Sequence, residues 1–237
     1  MGQLHDHRPV RGRGKTMDRK WVTALMVLSL LLAPWPRLGQ AQDQASIDKN
    51  TSYYKKNYVF TADYFYTHRE SWSKVLAPFK DKKDATYLEV GVFEGRALLW
   101  LLENIFTHPT ARATCIDLFP YDLEERFRHN LDLSGFAGKV TVMKGPSEVE
   151  LRKLPMDSFD LIYIDASHLG KDVFVDTALS WGLLKKGGIL IFDDYGWTIE
   201  PLPEDRPKMA VDAFLALFKK EIQVLELDYQ VIVSRQR

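Results

Sequence analysis

Hydrophobic positions follow two alternating patterns from residue 85 onward. Short apolar runs typical of strands are separated by longer segments that read as helices. The strand-like runs are Thr86–Val90, Ala113–Asp117, Val140–Lys144, Leu161–Ile164 and Ile189–Phe192. The helix-like segments are Arg96–Phe106, Leu123–Leu131, Lys171–Leu184 and Met209–Lys220. Strands and helices in alternation predict a parallel sheet with helices on both of its faces.

The end of the chain carries two more strand-like runs, Gln223–Glu226 and Gln230–Val233. The short segment between them cannot hold a crossover helix, so this pair must be antiparallel. The predicted fold class is therefore α/β and Rossmann-like, with a seven-stranded, mostly parallel sheet, a C-terminal antiparallel hairpin and helices on both faces. Lys185–Gly188 is interpreted as a helix end with basic residues and a left-handed glycine.

The N-terminal part of the chain has a different pattern. Met17–Lys20 is positively charged, Trp21–Ala33 is apolar, and Gly39–Ala41 offers small residues for cleavage. This order is typical of a secretory signal peptide that starts at Met17, and it predicts export. The alternative is a partner-binding helix of a cytoplasmic protein. The apolar run is shorter than the roughly 20 residues that cross a bilayer, so no stable membrane span is expected.

Charge and cysteine content narrow the range of functions. The 32 Lys and Arg residues equal the 32 Asp and Glu residues in number, so no net charge attracts nucleic acid. A small-molecule partner is therefore expected. The single cysteine, Cys115, excludes an intramolecular disulfide and a multi-cysteine zinc site, and its apolar surroundings indicate a structural role.

A turn with two glycines follows the first strand. Gly91 and Gly95 allow the backbone to approach a ligand at the carboxyl end of the strand. The spacing differs from the dinucleotide fingerprint, because Glu89 stands where its first glycine would be. A carboxylate there opposes a diphosphate and suits a cationic ligand, such as a sulfonium that carries an amino group. Asp117 ends the second strand and can accept the ribose hydroxyls, while Ser147 either borders an adenine or marks a plain turn.

Ionisable residues follow the fourth and fifth strands. Asp165 and His168 come after the fourth, and Asp193 and Asp194 come after the fifth. Three carboxylates at one sheet edge repel one another unless they are protonated or bind a cation, and oxygen donors favour Mg²⁺ or another hard divalent cation. Such a metal would hold an acceptor hydroxyl while His168 removes its proton. Capping of the next segment by the aspartates, and a surface position for His168, are the alternatives.

Together these motifs resemble the class I S-adenosylmethionine-dependent methyltransferases. Within that class they are similar to the metal-dependent O-methyltransferases that act on catechols, caffeoyl-coenzyme A, sugars and macrolides. The resemblance covers about Tyr87–Arg237. It implies methyl transfer from S-adenosylmethionine to a hydroxyl of a small-molecule acceptor. Relatives commonly pair, which leaves a homodimer open.

The resemblance also assigns roles to the motif residues. It implies that the cofactor is bound by Glu89, Gly91, Gly95, Asp117, Ser147 and Asp165, that the metal is held by Asp165, Asp193 and Asp194, and that His168 and Asp165 are catalytic. One departure concerns Asp194, because the catechol-type pattern has Asn at that position. The sequence therefore supports metal binding less strongly than it supports cofactor binding.

Domain limits follow from these patterns. Residues 1–41 are assigned to an N-terminal extension with the signal-like segment, residues 42–84 to a linker with a helical appendage, and residues 85–237 to a methyltransferase catalytic domain. Two other functions stay open. An exported, non-catalytic module with the same fold agrees with the signal-like segment, and a nicotinamide-nucleotide oxidoreductase is opposed by the glycine spacing.

Overall fold

The computed structural model describes residues 53–236 of the chain. The predicted signal-like segment and most of the predicted linker lie outside the described residues, so both stay predictions. Within residues 53–236, no helix combines the length and the apolar character that crossing a bilayer requires.

Six α-helices and seven β-strands form the described part of the chain. The helices are α1 Arg69–Val75, α2 Arg96–Asn104, α3 Leu123–Ser134, α4 Ser147–Glu150, α5 Gly170–Leu183 and α6 Pro207–Phe218. The strands are β1 Thr86–Val90, β2 Arg112–Asp117, β3 Val140–Lys144, β4 Phe159–Ile164, β5 Leu184–Phe192, β6 Ile222–Leu227 and β7 Val231–Arg235. Single 3₁₀ turns occupy Tyr66–His68, Ala77–Phe79, Ala137–Lys139, Leu151–Lys153 and Pro203–Asp205.

All seven strands belong to one sheet, in the order β3-β2-β1-β4-β5-β7-β6. Strands β1 to β5 pair in parallel, whereas β7 lies antiparallel between β5 and β6. The predicted fold class and its C-terminal antiparallel hairpin are confirmed. The strand order changes direction after β1, since β2 lies on one side of it and β4 on the other. Ligands of open α/β sheets bind at the carboxyl ends of the strands at such a switch point.

The sheet has a hydrophobic core on each of its two faces. Successive residues of each central strand contribute to opposite cores, because side chains alternate between the two faces of a sheet. In β1, Tyr87 belongs to the core on one face, and Leu88 and Val90 belong to the core on the other. Helices α1, α2 and α3 cover the first face, and α5 and α6 cover the second. Residues on both faces are buried, which explains why these strands appear in the sequence as apolar runs.

The N-terminal described segment packs on the first face. Tyr58 and Trp72 are fully buried there, and the Tyr58 hydroxyl donates a hydrogen bond to Glu103 Oε1 of α2 at 2.7 Å. The indole of Trp72 meets the ring of Tyr163 edge-on, with 5.0 Å between the ring centroids. These aromatic residues are therefore core. The division between an appendage and a catalytic domain at residue 84 stays a prediction from sequence pattern.

One interpretation of the sequence is wrong. Helix α5 ends at Leu183, and Leu184 takes the extended conformation and pairs with Phe159 of β4. Lys185–Gly188, interpreted above as a helix end, therefore lies within β5. A register shift between Phe159 and Leu161 accommodates the additional residues. Gly187 does have a positive φ of 76°, but it bends a strand and does not cap a helix.

Candidate active site

Three strand ends form the floor of the candidate site. The ladder of backbone hydrogen bonds continues just past the strands, from Gly91 N to Ile116 O (2.8 Å), from Asp165 N to Val90 O (2.8 Å) and from Asp193 N to Ile164 O (3.0 Å). Gly91 has a φ of +90°, and a Cβ at this position would lie 2.1 Å from Asp165 O. Only glycine fits where the turn after β1 passes the end of β4.

The turn after β1 is fixed to Asp117 at the end of β2. The backbone N–H groups of Val92 and Phe93 both donate to Asp117 Oδ2 at 2.9 Å, and the N–H of Phe119 donates to Oδ1 at 2.7 Å. Burial raises the pKa of Asp117 above its ordinary value, although these donors oppose the effect. The structure thus brings Asp117 to the glycine turn, where a ribose diol would share the carboxylate with backbone donors. Gly95, with a φ of +86°, begins α2 at the far end of the turn.

Two other predicted cofactor residues have partners in the protein interior. Glu89 is 2% exposed and accepts a hydrogen bond from the Tyr87 hydroxyl at 2.8 Å, and burial raises its pKa well above the ordinary value. Ser147, the first residue of α4, lies close to Asp176 of α5 and lowers the pKa of that carboxyl, against the larger effect of burial. Glu89 therefore lies beneath the glycine turn, and Ser147 is held against α5.

Asp165 and Asp193 meet at a shared tyrosine. The Tyr163 hydroxyl lies 3.0 Å from Asp165 Oδ2 and also contacts Asp193 Oδ2 at short range. Burial and the negative charges of Asp193 and Asp194 raise the pKa of Asp165 well above its ordinary value. Burial and the charge of Asp194 likewise raise the pKa of Asp193. Neither carboxylate forms an ion pair with Lys or Arg among the described residues. Two buried carboxyls without a cationic side chain favour protonation or binding of a cation.

His168 is held by Asp194. The imidazole Nε2 lies 2.9 Å from Asp194 Oδ2, and the hydroxyl of Tyr229 donates to Asp194 Oδ1 at 2.9 Å. Burial disfavours the charged imidazolium, but the hydrogen bond and charge of Asp194 outweigh it and raise the pKa of His168 above its ordinary value. The ring of Trp197 covers the imidazole, with 4.2 Å between the ring centroids. Asp194 itself has a φ of +58°, which is a strained conformation for a residue with a Cβ.

The donor set suits a cation but differs in arrangement from the predicted one. One donor atom each from Asp165, His168 and Asp194 lie within 4.8 Å of one another. Asp193 is adjacent, but its Oδ2 contacts Tyr163 and its Oδ1 accepts the N–H of Asp194 at 2.8 Å. Asp165, His168 and Asp194 are thus the residues that could hold a cation. Both oxygens of Asp194 already have partners, so a cation there would replace the contact with His168 or with Tyr229.

Sequence reasoning missed two tyrosines. Tyr163 stands two positions before Asp165 in β4, so the period of a strand places both side chains on the same face. That spacing was a usable signal, and Tyr87 and Glu89 repeat it in β1. Tyr229 offered no such signal, because its position depends on the antiparallel pairing of β7 with β5.

Part of the chain is similar to known methyltransferases. Residues 88–195 match a family described as a methyltransferase domain. A catechol O-methyltransferase from Mycobacterium tuberculosis is 29% identical over 107 residues, which are 45% of this chain and 46% of that protein. An uncharacterized protein of Acanthamoeba polyphaga mimivirus is 30% identical over 140 residues, which are 54% of this chain and 61% of that protein. The match thus spans about half to three fifths of each curated relative.

The fold is shared more widely than the sequence. The O-methyltransferase TomG from Streptomyces achromogenes, solved in complex with S-adenosylmethionine, superposes with a TM-score of 0.58 at 14% identity and covers 94% of this chain and 100% of its own. The matched family segment runs from β1 through the end of β5 and includes Gly91, Asp117, Asp165, His168 and Asp194.

Proposed function

We propose that this chain, which carries a class I S-adenosylmethionine-dependent methyltransferase domain of the O-methyltransferase type, transfers a methyl group from S-adenosylmethionine to a hydroxyl oxygen of a small-molecule acceptor. The observation that supports this proposal most directly is the pairing of His168 with Asp194, whose atoms lie 2.9 Å apart. The pair lies at the carboxyl ends of the strands, as does the glycine turn. Methylation of a hydroxyl requires a base that removes its proton close to the bound cofactor.

His168 is the proposed base. If Nε2–H donates to Asp194, then Nδ1 carries the lone pair that accepts the proton of the acceptor hydroxyl. Asp194 then stabilises the imidazolium, in the way that a buried carboxylate supports a catalytic histidine. The cofactor supplies an electrophilic methyl on its sulfonium. The acceptor oxygen forms the new C–O bond as the S–CH₃ bond breaks, and S-adenosylhomocysteine and protonated His168 remain. Most of the rate should come from holding the two reactants close and in line.

The cofactor is proposed to bind across the ends of β1 and β2. The turn from Gly91 to Gly95 would let its tail approach the backbone, and Asp117, which is fixed to that turn, would accept the ribose hydroxyls. Glu89 supports this site from the interior, since its side chain already accepts a hydrogen bond from Tyr87, and the half-buried Ser147 is proposed to border the cofactor.

A hard divalent cation is proposed to assist. Asp165 and Asp194 would hold it, with Asp193 as the third carboxylate. Burial and, after it, the repulsion between the carboxylates raise the pKa values of Asp165 and Asp193, and a cation would offset both effects. A metal at this position would neutralise that charge and lower the pKa of a bound hydroxyl.

A variant pair tests the proposed base. His168→Ala should lower kcat by about 100-fold or more, the usual contribution of a general base, and should leave the Kd for S-adenosylmethionine nearly unchanged. His108→Ala is the matched control, because His108 precedes β2 at the opposite edge of the sheet and hydrogen-bonds Thr110. Turnover is measured as release of S-adenosylhomocysteine with a panel of catechols and sugars. Full activity of His168→Ala would refute the assignment, and loss of cofactor binding would make His168 structural.

A further inference from the structure

A cleft of about 340 Å³ adjoins the His168–Asp194 pair. Two of its wall residues also belong to the site. Trp197 contacts His168 with tilted rings whose centroids are 4.2 Å apart, and the Tyr229 hydroxyl donates to Asp194 at 2.9 Å. These two side chains therefore belong both to the wall of the cleft and to the surroundings of the proposed base.

The aromatic walls of the cleft are brought together by a glycine. A Cβ at Gly196 would lie 2.6 Å from the Tyr229 ring, and the N–H of Gly196 donates to Tyr229 O at 3.3 Å. The segment that carries Tyr195 and Trp197 can therefore lie directly against the β6–β7 turn. Three aromatic side chains, Tyr195, Trp197 and Tyr229, line the cleft as a result. Such walls suit a planar ring.

Two cations also line the cleft, and they differ in their partners. Lys208 is neutralised, because its Nζ lies 2.6 Å from Asp212 Oδ2. Arg206 donates from Nε to the carbonyl of Glu200 at 2.8 Å, and within residues 53–236 it forms no ion pair with a carboxylate. Asp228 is the acidic residue of the lining.

The position of Arg206 strengthens its positive character. It is partly buried, and it is the N-cap residue of α6, a helix of 12 residues. The N-terminal end of a helix carries partial positive charge, so the guanidinium and the helix end attract the same kind of ligand. A guanidinium also presents a planar fork of donors that matches a carboxylate.

We propose that Arg206 is a specificity-determining residue that binds a carboxylate of the methyl acceptor, so that the chain selects hydroxylated aromatic acids. This inference rests on the proposed function. The ring would lie between the aromatic walls, with its reacting hydroxyl toward His168 and its carboxylate at Arg206.

Two probes that differ by one carboxylate group test the proposal. The full chain, saturated with S-adenosylhomocysteine in magnesium buffer, is titrated calorimetrically with catechol and with 3,4-dihydroxybenzoate. We expect the acid to bind at least about tenfold more tightly, as a charge-assisted hydrogen bond allows. Arg206→Met should abolish this preference and leave catechol binding unchanged. Arg152→Met is the matched control, because the exposed Arg152 also donates from Nε to a carbonyl, that of Glu148, at 3.0 Å.

Each other outcome overturns the proposal. Equal affinity for the two probes would show that the cleft does not prefer an anion. An equal loss of affinity for both probes in Arg206→Met would show that Arg206 contributes only to packing. Failure of both probes to bind would exclude the cleft as an aromatic acceptor site. A separate titration of the full chain with S-adenosylhomocysteine, made before the probes are added, separates these results from failure of the proposed function, because that failure would abolish cofactor binding itself.

Discussion

Replacement of Asp176 by asparagine should stabilise the folded protein at pH 8 but hardly at pH 4. Asp176 lies on α5 and is 2% exposed, and its Oδ2 has no hydrogen-bond partner among the described residues. One turn later the buried Ser180 hydroxyl also lacks a partner there. The carboxyl is therefore poorly solvated in its ionised form.

The magnitude follows from the pKa. Burial is the main cause that raises the pKa of Asp176 from 3.8 to about 6, and the charges of Asp172 and Glu148 add to it, while the hydrogen bond from Ser147 opposes it. The difference corresponds to about 3 kcal/mol. Because the folded pKa is the higher one, the stabilising contribution is present below pH 3.8 and is lost as the pH rises through about 6. Asparagine does not ionise, so Asp176→Asn should escape this loss.

The assay is urea unfolding from pH 4 to pH 8, followed by tryptophan fluorescence. The free energy of unfolding of Asp176→Asn, relative to the unsubstituted protein, should rise by about 3 kcal/mol across that range, with most of the change between pH 4 and 7. Asp132→Asn, at an exposed position on α3, should show no comparable change. A constant difference between Asp176→Asn and the unsubstituted protein at every pH would refute the reasoning.

Three further predictions concern the site and the N-terminus. Asp117→Ala should weaken S-adenosylmethionine binding about tenfold or more in calorimetry, because charge-assisted bonds to the ribose are lost; unchanged affinity would remove Asp117 from the cofactor site. Gly91→Ala should lower both Tm and cofactor affinity, since its Cβ would lie 2.1 Å from Asp165 O, and a native Tm would contradict this. If residues 17–41 are a cleaved signal, mass spectrometry of the secreted protein should find an N-terminus near Gln42, whereas a chain that keeps Trp21 would count against cleavage.

The sequence predicted the fold because each central strand is buried on both faces. Thr86–Val90, with four of its five residues buried, was predicted with the bounds that the structure has. The bounds of the partly exposed edge strand Val140–Lys144 were also predicted. The start of β5 was missed, since Lys185 and Lys186 are polar and a helix precedes them directly. They lie in the register shift between the pairings of Leu184 and Ile189 with β4, where Lys185 forms an ion pair with Asp160 at 2.9 Å. Neither of these long-range contacts leaves a periodic signal.

The candidate site was predictable where it consists of strand ends. Asp165, Asp193 and Asp194 follow neighbouring parallel strands, so the topology alone brings them together. The pairing of His168 with Asp194 was not predictable, because it depends on the loop before α5 and on the positive φ of Asp194. Arg206 was equally hidden, since its exposure to the cleft depends on how α6 and the β6–β7 turn face each other.

Cofactor binding tests the central claim most directly. S-adenosylmethionine is titrated calorimetrically into protein that starts at Gln42, with and without magnesium, after circular dichroism has shown that the protein is folded. We expect S-adenosylmethionine to bind with micromolar affinity in both conditions. We also expect the acceptor to bind more tightly when magnesium is present. No binding in either condition would contradict the methyltransferase assignment and would favour a non-catalytic module with the same fold.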